Sequence, residues 1–125
     1  VRGVSREEVD ASRSHEGSTL IWADEMWEGD AWMDRALDAL GPKVYLTFDV
    51  DYFDPALVPS TGTPELGGAS WYKTLRFLKR VLAEREVVAA DIVELAPAPG
   101  MHAPDFLVAK LVYKLINYRF WNRMP

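Results

Sequence analysis

The residues that could do chemistry sit in two short acidic clusters at the ends of apolar runs. Asp49-Val50-Asp51 closes the stretch Val44-Tyr45-Leu46-Thr47-Phe48, and Asp54 follows it. Glu94 closes a second apolar run, Val87-Val88-Ala89-Ala90-Asp91-Ile92-Val93. A carboxylate at the end of a buried strand is costly unless it meets a counter-charge, because taking an ion out of water is expensive. Two arrangements satisfy that need. Either both aspartates bind a metal cation through hard oxygens, or one caps the following loop while the other meets an Arg or Lys. The chain has no cysteine, so disulfides, thiolate-ligated metals and thiol catalysis are excluded, and any metal must sit on oxygen and nitrogen donors.

Two familiar chemistries of a D-x-D pair fit poorly. A calcium loop of the EF-hand type needs acids at its first, third and fifth positions and a glycine at the sixth, and residues 49 to 54 offer neither. A phosphatase with an aspartyl nucleophile would use the first Asp to attack phosphorus and the second as acid/base beside Mg²⁺. Its usual Thr or Val two residues after the second Asp is replaced by Phe53, and no acidic pair follows to complete the metal site. Of the two histidines, His102 lies in the loop after Glu94, while His15 stands in the polar turn Ser14-His15-Glu16-Gly17, where a catalytic part is not expected. The tryptophans at 22, 27, 32 and 71 read as packing residues.

The elements that must position these groups alternate in type. Ser5-Arg6-Glu7-Glu8 has the capping-box spacing and predicts a helix to about Arg13. Thr19-Leu20-Ile21-Trp22 predicts a short strand, bounded by Gly17 and the acidic stretch Asp24 to Asp30. Trp32, Ala36, Leu37 and Leu40 share one face of a helix over 30–40, which Gly41-Pro42 end. Residues 44–50 read as a strand buried on both faces, whose alternation would send Asp49 and Asp51 to the same side. Residues 51–69, rich in Pro and Gly, form a long loop of the kind that usually carries function. Ser70 is placed to cap a helix over 71–85 with Trp71, Leu75, Leu78 and Leu82 inward. A strand over 87–93 and a Pro-rich loop follow, then a helix from near Pro104 to about Tyr118 with a wide apolar stripe through Leu107, Val108, Leu111, Val112, Leu115 and Ile116. The fold class is therefore α/β, a three-layer parallel sheet flanked by helices, whose chemistry should gather beyond the carboxyl ends of the strands.

Composition narrows the function classes. At 125 residues, with 49% hydrophobic and 26% charged residues, the chain can bury a core, which excludes a disordered or collagenous chain. A net charge of −5 argues against a phosphate-binding surface, so nucleic acid is not an expected partner. The acids concentrate in the first part and the bases in the last, as solvated helix faces would have them. No run approaches a membrane span and no signal peptide is legible, so neither a membrane nor export is expected, and the cytoplasm is the expected compartment. The chain opens at Val1-Arg2-Gly3-Val4, which reads as the end of a core strand, so an upstream part is expected.

Longer motifs decide among the open readings of Asp49 and Asp51. Phe48-Asp49-Val50-Asp51-Tyr52-Phe53-Asp54-Pro55, then Pro59-Ser60-Thr61-Gly62-Thr63-Pro64-Glu65, then Gly67-Gly68, closely resembles the ureohydrolase signature of arginases and agmatinases. Asp91-Ile92-Val93-Glu94-Leu95-Ala96-Pro97 resembles the family's later acidic segment, and Pro99 to Phe106 resembles the agmatinase branch. Val1-Arg2-Gly3-Val4-Ser5 resembles the strand-to-helix junction that precedes this region.

The resemblance implies a binuclear manganese hydrolase that attacks a guanidinium carbon with a metal-bridging hydroxide. Asp49 would bridge both ions, Asp51 would bind one, and Asp54 would brace the loop without ligating. Carboxylates alone do not distinguish Mn²⁺ from Ni²⁺. Glu94, which on its own reads as an ordinary salt bridge at a strand end, would hold the guanidinium, since a carboxylate matches that planar fork of donors. Thr63 would line the substrate pocket or stabilise its turn, and His102 would touch the substrate's tail or face solvent.

The family's GGDHS-type and DAHxD segments and its proton-shuttling histidine have no counterpart here. Residues 1–125 therefore read as the C-terminal portion of a ureohydrolase domain, with the remaining metal ligands on an absent N-terminal half or a partner chain. Agmatine is the favoured substrate, giving putrescine and urea and a place in polyamine biosynthesis, and a homo-oligomer is expected. Two other readings compete: a non-catalytic truncated homologue serving assembly or regulation, and, more remotely, the Mg²⁺-dependent phosphatase.

Overall fold

The computed structural model describes residues 1–121, which fall into a first unit, Val1–Gly41, and a second beginning at Pro42. In the first unit, helix α1 (Arg6–Ser14) starts as its spacing predicts. The Glu8 amide donates to Ser5 Oγ at 3.2 Å and the Ser5 amide donates to Glu8 Oε2 at 2.8 Å, so two orphan donors are satisfied reciprocally. The expected strand over Thr19–Trp22 does not form. Val1 N donates to the Ile21 carbonyl and Ala23 N to the Val1 carbonyl, a short bracket, and among the described residues neither segment joins a ladder.

The acidic stretch taken as a boundary is itself helical. Helix α2 (Ala23–Glu28) has Asp24 and Glu25 in its first turn, where the helix dipole favours acids. Glu25 takes the Trp22 amide at 2.8 Å and an ion pair from Arg35 at 2.6 Å, and these hydrogen bonds, Arg35's foremost, hold its carboxyl below the usual range. Arg35 lies on α3 (Ala31–Ala39), whose buried residues are Trp32, Met33 and Leu37.

In the second unit, strands β1 (Lys43–Asp49) and β2 (Glu86–Val93) run parallel, connected through α4 (Trp71–Glu84). Their register starts at Lys43 opposite Glu86 and Val44 opposite Val87, then jumps one residue so that Tyr45 faces Ala89, Thr47 faces Asp91 and Asp49 faces Val93. Val88 is thus the extra residue of a β-bulge. Along β1, Val44 and Phe48 are buried while Tyr45 and Thr47 are exposed, so among the described residues the strand is covered on one face and not on both as its near-continuous apolar run implied. Helix α4 packs on β2, and α5 (His102–Phe120) packs on α4.

The core of this unit comes from both helices. Leu75, Leu78, Val81 and Leu82 are buried on α4, and Pro104, Val108, Leu111 and Leu115 on α5. Helix α5 starts earlier than its Pro104 suggested, because a proline is tolerated in the first turn, where its missing N–H has no partner to lose. Its buried stripe is narrower than the sequence implied, with Val112 41% and Ile116 54% exposed. Ser70 stands at the N-cap of α4 but makes no side-chain cap; its carbonyl instead accepts the Thr74 amide and, at 2.8 Å, the Thr74 hydroxyl. Among the described residues no helix is long and apolar enough to cross a membrane.

Candidate active site

Strand β1 ends at Asp49, and the chain turns at once into a 3-10 helix over Val50–Tyr52. Strand alternation therefore does not relate the two aspartates, contrary to the sequence expectation. Asp49 Oδ1 accepts the Asp51 amide at 3.0 Å, so the first carboxylate caps the turn that carries the second. Val50, between them, is fully buried and anchors the turn. Asp49 and Asp51 are each half-buried at the carboxyl end of the strand.

The turn is held by an aromatic cluster. Phe53 is 1% exposed, with its ring centroid 5.5 Å from Phe48, 5.8 Å from Tyr52 and 6.1 Å from Trp71. From Phe53 the long loop leaves and returns to the same place. Ala69 N donates to the Tyr52 carbonyl at 2.9 Å and Asp54 N to the Ala69 carbonyl at 3.3 Å. The Asp54 carboxylate accepts the Ala56 amide at 2.9 Å and the Gly67 amide at 3.2 Å, so its two oxygens tie one end of the loop to the other. Gly68 passes so close that a Cβ there would lie 2.3 Å from Asp54 N and the Phe53 carbonyl carbon.

The middle of the loop is pinned to the end of β2. Thr61 and Leu95 form an antiparallel bridge, and Ala96 N donates to the Ser60 carbonyl at 3.0 Å. That pairing sets Thr63 beside the first cluster, where its hydroxyl donates to Asp51 Oδ2 at 2.6 Å. It also sets Gly62 against Glu94: a Cβ on Gly62 would stand 3.0 Å from Glu94 Oε2. Glu94 has φ 68°, the left-handed region in which a side chain crowds the backbone, and it is the non-glycine residue with that geometry among those described. Strain of this kind, held by surrounding structure, gathers at functional sites.

Asp49, Asp51, Thr63 and Glu94 are thus joined through one loop at the carboxyl ends of two parallel strands. His102 is not part of the group. It opens α5 with an exposed side chain, and no hydrogen bond or ion pair joins it to the others among the described residues. Gly62 and Asp91 were not singled out from the sequence. Asp91 could have been noticed as an acid inside an apolar strand; nothing local marks Gly62. Asp91 accepts from the Tyr45 hydroxyl and, at 2.7 Å, from the Thr47 hydroxyl, and these bonds, Tyr45's first, hold its carboxyl below the usual range.

The donor chemistry suits hard divalent cations, since Asp49 and Asp51 both offer carboxylate oxygens at the carboxyl end of β1. The set is partial, however. Among the described residues no three His, Cys, Asp or Glu side chains gather as a metal site, so these residues supply part of a coordination shell.

Comparison with known proteins places this geometry. The chain is 40% identical to the N(1)-aminopropylagmatine ureohydrolase of Synechocystis sp. over 119 residues, which cover 94% of this chain and 39% of that protein. It is 37% identical to the protein of the same name from Thermus thermophilus, covering 95% of this chain and 40% of that one. It is 34% identical to the agmatinase of Pyrococcus horikoshii, covering 94% of this chain and 40% of that protein. The chain therefore spans about two-fifths of the length of the curated relatives it matches. Among solved structures, the proclavaminate amidino hydrolase of Streptomyces clavuligerus superposes with a TM-score of 0.82 at 29% identity, covering 95% of this chain and 40% of that one. The arginase of Bacillus caldovelox shares the fold, with a TM-score of 0.80 at 22% identity, over 92% of this chain and 40% of that one. Residues 1–117 match the arginase family model, and the chain belongs to the arginase family, whose members here are ureohydrolases.

Proposed function

We propose that this chain is the C-terminal portion of an enzyme that hydrolyses a guanidino C–N bond of an agmatine-type alkylguanidine, adding water to give urea and the free amine. The observation that carries this reading is the convergence of Asp49, Asp51, Thr63 and Glu94 on one loop-bound cluster in an arginase-family chain. Asp49 and Asp51 would contribute carboxylate ligands to a pair of Mn²⁺ ions, with the remaining ligands supplied by polypeptide outside these 125 residues, in keeping with the greater length of the relatives. When bound, the ions supply Lewis acidity that makes hydroxide available near neutral pH.

This chain's own residues do the rest of the local work. Glu94 presents its carboxylate to the guanidinium, a bidentate charge-assisted pairing that orients the carbon toward the aspartates. Thr63 steadies Asp51 through its hydroxyl, and Asp54 keeps the loop closed. His102 is exposed at the start of α5 and has no part in the guanidinium site of this proposal; contact with the substrate's tail is the role left to it. The names of the relatives direct the choice of tail: agmatine, as in the sequence reading, or its N1-aminopropyl derivative; a place in polyamine synthesis is part of this proposal. The acidic net charge of −5 favours a cationic substrate and disfavours nucleic acid. A cytoplasmic homo-oligomer completes the proposal, since a sheet with exposed edge strands needs cover.

The test is urea release by the complete polypeptide with Mn²⁺, using agmatine, N1-aminopropylagmatine and arginine, before and after Asp49→Ala. Loss of at least about a hundredfold in kcat/KM on the preferred substrate is expected, as for removal of a group acting on the transition state. Unchanged activity in the variant would overturn the metal assignment, and a folded complete protein inactive on all three guanidines would favour a non-catalytic role.

A further inference from the structure

We infer that Asp91 is a positioning residue: by accepting hydroxyl hydrogen bonds from Tyr45 and Thr47 it locks β2 in the bulged register that sets Glu94 beside the Asp49 turn. The catalytic consequence rests on the function proposed above; the structural one does not.

Two registers are open to these strands. Lys43 and Val44 pair with Glu86 and Val87, and continuing without a bulge would set Val88 opposite Tyr45, Ala90 opposite Thr47, Asp91 opposite Phe48 and Ile92 opposite Asp49. The observed strand instead holds Val88 out of the ladder and advances everything after it by one. Because side chains alternate, a shift by one residue moves each of them to the opposite face. Asp91 then lies among the exposed residues of β1, Tyr45 and Thr47, and not on the side of Phe48, which is 7% exposed.

Asp91 discriminates between these registers in two ways. In the observed one its two oxygens take separate partners, Oδ2 from the Tyr45 hydroxyl and Oδ1 from the Thr47 hydroxyl. Both donors stand on the same strand, two residues apart, so they grip the carboxylate along the strand direction. In the slipped register the carboxylate would turn toward the apolar side, where it has no such partners and its desolvation is unfavourable. The bulge leaves Val88 without a partner on β1, and contacts on both sides of it hold the shifted register: Arg119 Nε donates to the Val87 carbonyl at 3.1 Å, and Asp91 takes the Tyr45 and Thr47 hydroxyls.

The clamp lies close to the site. Thr47 is two residues before Asp49, and Asp91 is three before Glu94. Slippage would move Glu94 one residue further along β1, break the bridge of Leu95 to Thr61 and separate the Glu94 carboxylate from Gly62. A displacement of about 1 Å in a positioned group is enough to lower a rate by about a hundredfold.

The experiment uses the complete protein with Mn²⁺ and compares Asp91→Ala, Asp91→Asn and the double variant Tyr45→Phe/Thr47→Val, which removes both donors with little change of shape. The structure of each variant reads the register, and steady-state kinetics with agmatine or its aminopropyl derivative reads the position of Glu94. Asp91→Ala and the double variant are expected to pair Tyr45 with Val88 and to raise KM about tenfold or more. Asp91→Asn, which keeps an acceptor oxygen for Thr47, should lie nearer the parent. A purely structural role would lower the folded fraction and leave KM per folded enzyme unchanged. The bulged register retained in the double variant, with parental KM, overturns the inference even if Asp91→Ala fails to fold. Should the parent protein hydrolyse no guanidine, the function proposed above fails, and the register in the double variant still decides the clamp.

Discussion

Glu94 offers a test in which stability and activity should separate. Its φ of 68° costs an L-residue about 1–2 kcal/mol relative to right-handed or extended backbone. Glycine escapes that cost but brings extra freedom to the unfolded chain, worth about 0.5–1 kcal/mol against alanine. The difference leaves Glu94→Gly more stable than Glu94→Ala by roughly 0.5–1 kcal/mol, the reverse of the order at an ordinary position. With a urea m-value of about 2 kcal/mol per molar, the midpoints should differ by about 0.4 M, which equilibrium unfolding followed by circular dichroism resolves. Both variants remove the carboxylate proposed to hold the guanidinium, and a charge-assisted hydrogen bond worth about 1.5–3 kcal/mol corresponds to a loss of about ten- to a hundredfold in kcat/KM. The glycine variant is thus expected to be the more stable of the two and no more active. If alanine proves equal to or more stable than glycine, the left-handed strain is not stored at this residue and the reasoning fails.

Other expectations follow from the same geometry. Gly68→Ala would drive a Cβ to 2.3 Å from the backbone of Phe53 and Asp54. It should forfeit the two bonds that close the loop, about 2–3 kcal/mol by urea unfolding, and a loss under about 1 kcal/mol would mean the loop can open without cost. Gly62→Ala meets only the end of the Glu94 side chain, so stability should change by less than about 0.5 kcal/mol while KM for the guanidine rises; an unchanged KM would place the Glu94 carboxylate outside the substrate site. On the acid side, Asp91, Glu25 and Glu8 all have lowered carboxyl pKa values in the folded state. Each contributes stability present above its unfolded pKa and lost as pH falls through the folded one, so stability should decline below about pH 4. Asp91→Asn should flatten that decline, and an identical acid limb would show that its hydrogen bonds are not made in solution.

The sequence carried the elements whose signals are local. The Ser5/Glu8 box, the period of α4 and the near-continuous apolar run of β1 each state their conformation within a few residues, and each formed. The misreadings fall where partners decide. Thr19–Trp22 has a strand's composition, but a strand exists only in a ladder, and among the described residues it pairs briefly with Val1. Asp24 and Glu25 read as the polar edge of a loop, although acids in a first turn with an arginine on the next helix stabilise a helix equally well. Asp49, Asp51, Thr63, Glu94 and Asp54 were identifiable by type and motif, and the structure brings the first four together while Asp54 ties the loop ends.

What composition and motif could not convey is how the cluster is held. Alternation along one strand would have made Asp49 and Asp51 neighbours by covalent geometry alone. They are neighbours instead because Asp49 caps a turn, because Thr61 pairs with Leu95 some thirty residues away, and because the strands beneath are shifted by one at Val88. The last two are backbone relations, and the loop between them also depends on two unusual positions, Gly68, packed against Phe53 and Asp54, and Glu94 at φ 68°. Backbone pairing of this kind fixes where the acidic residues stand and leaves their side chains less to order when a ligand binds. It follows that the substitutions most damaging to the geometry should lie at Gly68 and at the strand register, and that exchanging the Asp49 and Asp51 carboxylates for their amides should leave the scaffold in place while removing the charge.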